Sequence, residues 1–132
     1  MPRKQPFKKQ PFEVLKQNEV SANLYEGMLT SEIYYTMTDK QKTLLTYMKL
    51  QMYAEHKKPV PNDKTTFSFN RHKWLEKYHI YSSDNGAFYR DRDVLIERGF
   101  IELIQSGKIT RSKNIYRFSD KWKYIQNTER NG

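Results

Sequence analysis

Gly99 separates two periodicities that one regular element cannot carry. Before it, Phe88, Leu95 and Ile96 recur seven or eight residues apart, on one side of a helix; after it, Phe100-Ile101-Glu102-Leu103-Ile104 reads as a strand. Glycine readily takes the positive φ with which many helices end. The pattern therefore predicts a helix that stops at Gly99 and a strand that starts at once. A polar stretch turning at Ser106-Gly107 and a β-prone return over residues 114–118 make that strand the first arm of a hairpin.

Upstream, Thr38 and Gln41 have the spacing of a capping box, and Leu44, Leu45, Met48 and Met52 follow at the spacing of one helical face. The pattern fades at His56-Lys57-Lys58, cations suited to a helix C-terminus, and Pro59 and Pro61 forbid continuation. Residues 65–69 form a short β-prone run. Asn70 is a good cap for a second, short helix holding Trp74, Leu75 and Tyr78. His79 to Ser82 is a brief connection, and the third helix follows Ser82 or Ser83. Ser119 or Asp120 caps a final short helix carrying Trp122 and Ile125.

With 132 residues the chain has room for one domain with a modest core and some tail. Residues 1–11 read as a flexible basic arm, 12–37 as a lead-in of strand and turn packed on the domain, 38–127 as the domain itself and 128–132 as a tail. In the lead-in, Phe12, Val14, Leu15, Leu24, Tyr25, Met28 and Leu29 are the apolar residues available for the domain's flank. No apolar run approaches the roughly 20 residues of a membrane span, and Met1-Pro2-Arg3-Lys4 lacks the apolar stretch of a secretory signal. The chain has no cysteine, which excludes disulfides and thiolate metal sites and suits the cytoplasm.

The net charge is +9, and its distribution is uneven. Arg3, Lys4, Lys8 and Lys9 crowd the first ten residues without an acid; Lys108, Arg111, Lys113 and Arg117 do the same over residues 105–117. Residues 11–38 run the other way, with Glu13, Glu19, Glu26 and Glu32 against Lys16. Basic charge confined to a tail and one short segment suggests contact with a polyanion; the alternative is ordinary surface solubilisation.

Helix, short strand, helix, tight connection, helix, hairpin is the order of a winged helix, in which the helix after the tight turn enters the major groove. Phe67-Ser68-Phe69-Asn70-Arg71, Asp93-Val94-Leu95-Ile96-Glu97-Arg98-Gly99-Phe100-Ile101 and residues 114–122 resemble winged helix-turn-helix proteins of bacterial plasmids, conjugative elements and phages. The resemblance covers roughly residues 38–125. It implies an α+β fold, with a three-helix core, a β-hairpin wing and a short C-terminal helix. It also implies duplex DNA binding in the bacterial cytoplasm, in a transfer-origin, replication or transcription-regulating role.

On that reading the recognition helix spans about 83–98, and Ser83, Asn85, Gly86, Tyr89 and Arg90 face the bases. Arg90 suits a guanine and Asn85 an adenine. Two alternatives stay open: Asn85-Gly86 as a simple turn with the helix starting at Ala87, and Tyr89 as a packed aromatic. Lys108, Thr110, Arg111 and Lys113 suit phosphate contacts from the wing. Arg71 and Lys73 suit backbone contacts from the second helix, and Arg3, Lys4, Lys8 and Lys9 an adjacent minor groove. The third helix also carries Asp84, Asp91, Asp93 and Glu97, which either pair with neighbouring basic side chains or face a protein partner. Tyr34 and Tyr35 are candidates for a homodimer contact, while Phe67, Phe69, Trp74, Phe88, Phe100 and Tyr116 fall where a small domain needs core.

His56, His72 and His79 lack zinc-ligand spacing, no phosphate-cradling glycine loop occurs, and Asp91 and Asp93 point apart on a helix. These features argue against a metal site, a cofactor and an enzyme. The competing functional classes are a winged-helix protein-interaction module and an RNA or single-strand binder.

Overall fold

Thr38 starts the longest described helix through the reciprocal bonds that its spacing with Gln41 requires: the Gln41 amide donates to Thr38 Oγ1 at 3.2 Å, and the Thr38 amide donates to Gln41 Oε1 at 3.0 Å. A computed structural model describes residues 10–16, 19–56, 65–106 and 114–125. Within them lie a 3-10 turn at Pro11–Glu13 and helices α1 (Glu26–Leu29), α2 (Glu32–Tyr35) and α3 (Asp39–Glu55). Strand β1 (Thr66–Ser68), a π-helix at His72–Lys77, helix α4 (Ala87–Glu97) and strands β2 (Ile101–Gln105) and β3 (Ile115–Phe118) follow. The architecture is mixed α+β, with a small three-stranded antiparallel sheet ordered β1-β3-β2.

Strand β3, last in the chain, lies at the centre of the sheet. Phe67 pairs with Tyr116 across one side of it and Ile101 with Phe118 across the other, with an irregularity between Leu103 and Gln105. Phe67 stacks on both Tyr116 and Phe118, at 5.6 and 5.0 Å between ring centroids. Helix α3 supplies Leu44, Leu45, Met48 and Met52 to the same core, as its apolar spacing predicts. The end of α3 is tied to β1 by polar bonds. Glu55 Oε2 accepts from the Ser68 amide at 2.9 Å and from Gln51 Nε2 at 2.7 Å, and His56 Nε2–H donates to the Thr66 carbonyl at 2.6 Å. These bonds occupy donors and a carbonyl of an edge strand that pairs with β3 on one side only among the described residues.

Asn70 caps the second helix, its Oδ1 accepting from the Lys73 amide at 3.3 Å. That helix is wider than an α-helix: the Tyr78 amide reaches back five residues to the Lys73 carbonyl. It closes through His79 at φ 54°, after which the Ile80 and Tyr81 amides both donate to the Trp74 carbonyl. Trp74 is thereby buried, and its indole stacks on Phe88 of α4 at 4.7 Å and 8°.

Gly99 ends α4 as the sequence predicts. At φ 83° it lets the Gly99 amide bond Ile96 O and the Phe100 amide bond Leu95 O, the two bonds of a Schellman ending. The following chain then turns back over it. The Lys121 amide donates to Ser119 Oγ, residues 122–125 are helical, and the Trp122 amide donates to the Gly99 carbonyl.

Two expectations are corrected. Residues 12–37, read as strand and turn, are helical where regular. The Thr30 and Thr36 hydroxyls donate to the Glu26 and Glu32 carbonyls four residues back, so these threonines close single helical turns. Ile33, Tyr34 and Met37 of this segment are buried, while Phe12, Leu15 and Tyr35 are exposed. The second correction concerns α4, which begins at Ala87 rather than at 83, because Gly86 has φ 91° and cannot belong to a right-handed helix.

A Cβ at Gly99 would lie 2.6 Å from the Trp122 backbone nitrogen and 2.8 Å from Ile125 Cδ1. Gly99→Ala is therefore expected to lower stability by about 2–3 kcal/mol, the left-handed backbone alone costing about 1–3. Urea denaturation checks this. Wild-type stability in the variant would mean that the C-terminal turn is not seated on Gly99.

Candidate nucleic-acid interface

Helix α4 is held on three sides before it presents anything to solvent. Phe88 and Leu95 are buried, with Phe88 under the Trp74 indole. Near its start, Asp91 accepts from the Tyr81 hydroxyl at 2.7 Å and from Gln41 Nε2 at 3.1 Å, which joins α4 to the first turn of α3. At its end, Arg98 Nη1 donates to the Ile33 carbonyl at 2.8 Å and to Thr36 Oγ1 at 2.7 Å. The face left exposed carries Tyr89, Arg90, Asp93 and Glu97.

Of the residues expected to read bases, Tyr89 and Arg90 lie on that face, whereas Ser83, Asn85 and Gly86 form the loop that leads into α4. Asn85 Oδ1 accepts from the Ala87 amide at 3.2 Å, so this side chain helps to start the helix. Arg90 folds back along α4: its Nη1 lies 3.5 Å from where a Gly86 Cβ would be. A Cβ there would sit in ordinary contact with the guanidinium, so it is the positive φ of 91° that favours glycine at this position. Tyr89 is 42% exposed and packs edge-on to Trp74 and Phe88, so it is half wall and half surface.

Arg71 Nε lies 3.3 Å from Asp84 Oδ2, which brings the start of the second helix to the loop before α4. Both partners are about half exposed, and such a pair contributes little stability, roughly 0–1 kcal/mol. Lys73 is half buried. Lys108, Thr110, Arg111 and Lys113 of the expected wing, and Arg3, Lys4, Lys8 and Lys9 of the arm, lie outside the described residues.

The acids of α4 divide into two roles. Asp93 accepts from Arg92 Nε and Nη2 at 3.1 and 3.0 Å, the pairing with a neighbouring arginine that the sequence allows. Asp91 has neutral partners instead, Tyr81 and Gln41, and is a structural acceptor. Arg92 is itself largely covered and lies 5.0 Å over the Tyr89 ring, so Arg90 is the more available arginine of the helix.

Sequence reasoning missed Lys40. Its Nζ donates to the Ile80 carbonyl at 2.6 Å and lies over the Tyr81 ring. It shares a shallow hollow of about 230 Å³ with Ser82, Ser83, Asn85 and Asp91. Forty residues separate Lys40 from Ile80, and no spacing rule connects a cation in the first turn of one helix with the loop before another.

Comparison with protein-family models, curated protein sequences and solved structures finds no match to this chain. Among the described residues no helix is long and apolar enough to cross a membrane, and no group of three or more His, Asp or Glu side chains is placed to hold a metal ion.

Burial raises the pKa of Tyr34, Tyr78, Tyr81 and Tyr116 above the ordinary value of 10.0, and the Asp91 carboxylate pushes Tyr81 further in the same direction. A tyrosine that holds its proton more tightly when folded leaves stability intact below the unfolded pKa. That stability is lost as the pH rises through and above about 10. A tyrosinate absorbance titration is therefore expected to show a late-titrating set together with alkaline loss of folding stability. Asp91→Ala should cost about 2 kcal/mol, since hydrogen bonds to charged groups contribute about 1.5–3, and should bring Tyr81 into an earlier part of the titration. An unaltered titration in the variant would contradict the Tyr81–Asp91 bond.

Proposed function

We propose that this chain is a winged helix-turn-helix protein that binds double-stranded DNA in a sequence-specific manner. In this reading α4 and the loop 83–86 face the major groove, and the connection between β2 and β3 lies on the sugar-phosphate backbone. The observation that carries the reading is the placement of α4. It is anchored by Phe88, Asp91 and Arg98, exposes Tyr89 and Arg90 just after the left-handed Gly86, and runs through Gly99 straight into a β-hairpin. The order α3, β1, π-helix, α4, β2, β3 supports it, as does the absence of acids among residues 106–114, where Lys108, Arg111 and Lys113 occur.

Phosphate contacts supply affinity and base contacts supply discrimination. Arg90 is assigned the base contact. Arg71, Lys73, Lys40 and the three cations of the hairpin connection are assigned phosphates, and the arm residues Arg3, Lys4, Lys8 and Lys9 add to them. Asp93 and Glu97 discourage phosphates from the rear of α4, which directs the duplex toward its N-terminal half, where Asp84 is paired with Arg71. On this proposal, the resemblance implies a role in the bacterial cytoplasm, as an accessory of a mobile genetic element acting in transfer, replication or transcription regulation. A second reading, a protein-interaction module, is favoured by one observation: Asp93 and Glu97 beside Arg90 give the exposed face of α4 a mixed charge.

Binding to labelled duplex, single-stranded DNA and RNA across a salt series tests the proposal. A preference for duplex is expected, with log affinity falling against log salt at a slope of about −5 to −7, as for some five to eight phosphates neutralised. After selection of a target from a random pool, Arg90→Ala should relax the preference at one base pair, removing about 1–3 kcal/mol of discrimination. Replacing Lys108, Arg111 and Lys113 together by Ala should weaken binding to every sequence and flatten the slope by about three units. No duplex binding at low salt would sink the reading in favour of the protein-interaction module.

A further inference from the structure

Two features far from α4 answer one another. The first is an apolar knob on the acidic lead-in segment. Pro11–Glu13 forms a closed turn in which the Glu13 amide donates to the Gln10 carbonyl and the Gln10 amide donates to the Glu13 carboxylate at 2.8 Å. Phe12 on this turn is 87% exposed, and Leu15, two residues beyond it, is 98% exposed. A single exposed apolar side chain needs no explanation, but two this fully exposed three residues apart beside a formed turn suit insertion into an apolar cavity.

The second feature is an apolar cavity of about 480 Å³ between α1, α3 and the ends of the sheet. Its walls include Tyr25, Met28, Tyr53, Phe118 and Trp122. Cavities that hold small ligands span roughly 300–1,000 Å³, so this one has room for a phenylalanine and a leucine side chain. Charge flanks the apolar walls. Lys49 lines the cavity with its Nζ donating to the Asn23 carbonyl and lying over the Tyr25 ring, and Lys123 lies over Trp122. Burial lowers the pKa of Lys49, a cation that no carboxylate pairs with among the described residues. Asp120 supplies one acid at the same rim. The knob carries the opposite pair, Glu13 and Lys16, around Phe12 and Leu15.

We propose that this cavity receives the Phe12–Leu15 segment of a second copy of the chain, forming a dimer in which each copy inserts its knob into the other. The match is of size, of apolar character and of charge: Glu13 faces Lys49 and Lys123, and Lys16 faces Asp120. In a single chain the knob is unseated and the cavity is open, both among the described residues. Because every copy carries both halves of the contact, a two-fold exchange fills both cavities and leaves no free end. The inference does not depend on the DNA reading. A monomer that bound duplex DNA would overturn the dimer and leave that reading standing.

The test uses the full chain. Sedimentation across a concentration series should show a monomer–dimer equilibrium, and Phe12→Asp with Leu15→Asp should weaken it at least about tenfold. At concentrations where the wild type is itself monomeric, the circular dichroism and Tm of the substituted chain should match it, since neither side chain packs within the protomer. The chain has no cysteine, which allows a second measurement. Chains carrying Leu15→Cys mixed with chains carrying Tyr53→Cys should form a disulfide-linked heterodimer under mild oxidation. A wild-type monomer at every concentration, or a dimer indifferent to the two aspartates, overturns the proposal. So does the absence of that heterodimer disulfide while a chain carrying both Leu15→Cys and Tyr53→Cys closes one internally.

Discussion

The stack of Trp74 on Phe88 is the contact on which the arrangement of this protein turns. The two rings lie nearly parallel at 4.7 Å, one from the π-helix and the other from the first turn of α4. Trp74 also meets Tyr81 and Tyr89 edge-on, so one indole sets the spacing between the second helix, the connecting loop and α4. The π-helix makes this possible. Its wide turn ends with the Trp74 carbonyl accepting from both Ile80 and Tyr81, which draws the loop around the residue whose ring it buries.

A second set of contacts keeps α4 from rolling about that stack. Asp91 takes hydrogen bonds from Tyr81 and Gln41, and Arg98 donates to α2. Gln41 thus has two tasks. Its amide group and backbone complete the cap of α3, and the same side chain reaches Asp91. The start of one helix and the orientation of another are coupled through a single residue. This rigidity matters for the proposed reading of DNA, because a bidentate base contact needs its arginine within a few tenths of an ångström of the productive position.

Much of the fold is legible in the chain because it rests on local chemistry. The Thr38–Gln41 box, the Asn70 cap, the Gly99 ending and the Ser119 turn each depend on residues within five positions of one another. The aromatic core is legible too: Phe67, Phe69, Trp74, Phe88, Phe100 and Tyr116 are all buried. The lead-in segment was not, because its helices are single turns of four residues, too short for an apolar period to show. The start of α4 could be read in two ways, and the positive φ of Gly86 decides for the later one.

The sequence alone determined where α3 begins and α4 ends, which aromatic residues form the core, and where cations and acids concentrate along the chain. Local hydrogen bonds and apolar periodicity act over a few residues, and both are written in order. Tertiary structure decided what each charge does. Asp91 became a structural acceptor, Arg92 was folded against Tyr89, Arg90 was left exposed beside Gly86, and Lys40 was brought to the loop before α4. These outcomes depend on residues up to sixty-five positions apart, as for Arg98 and Ile33. Which polar partners meet is settled only when the core has set the helices against one another.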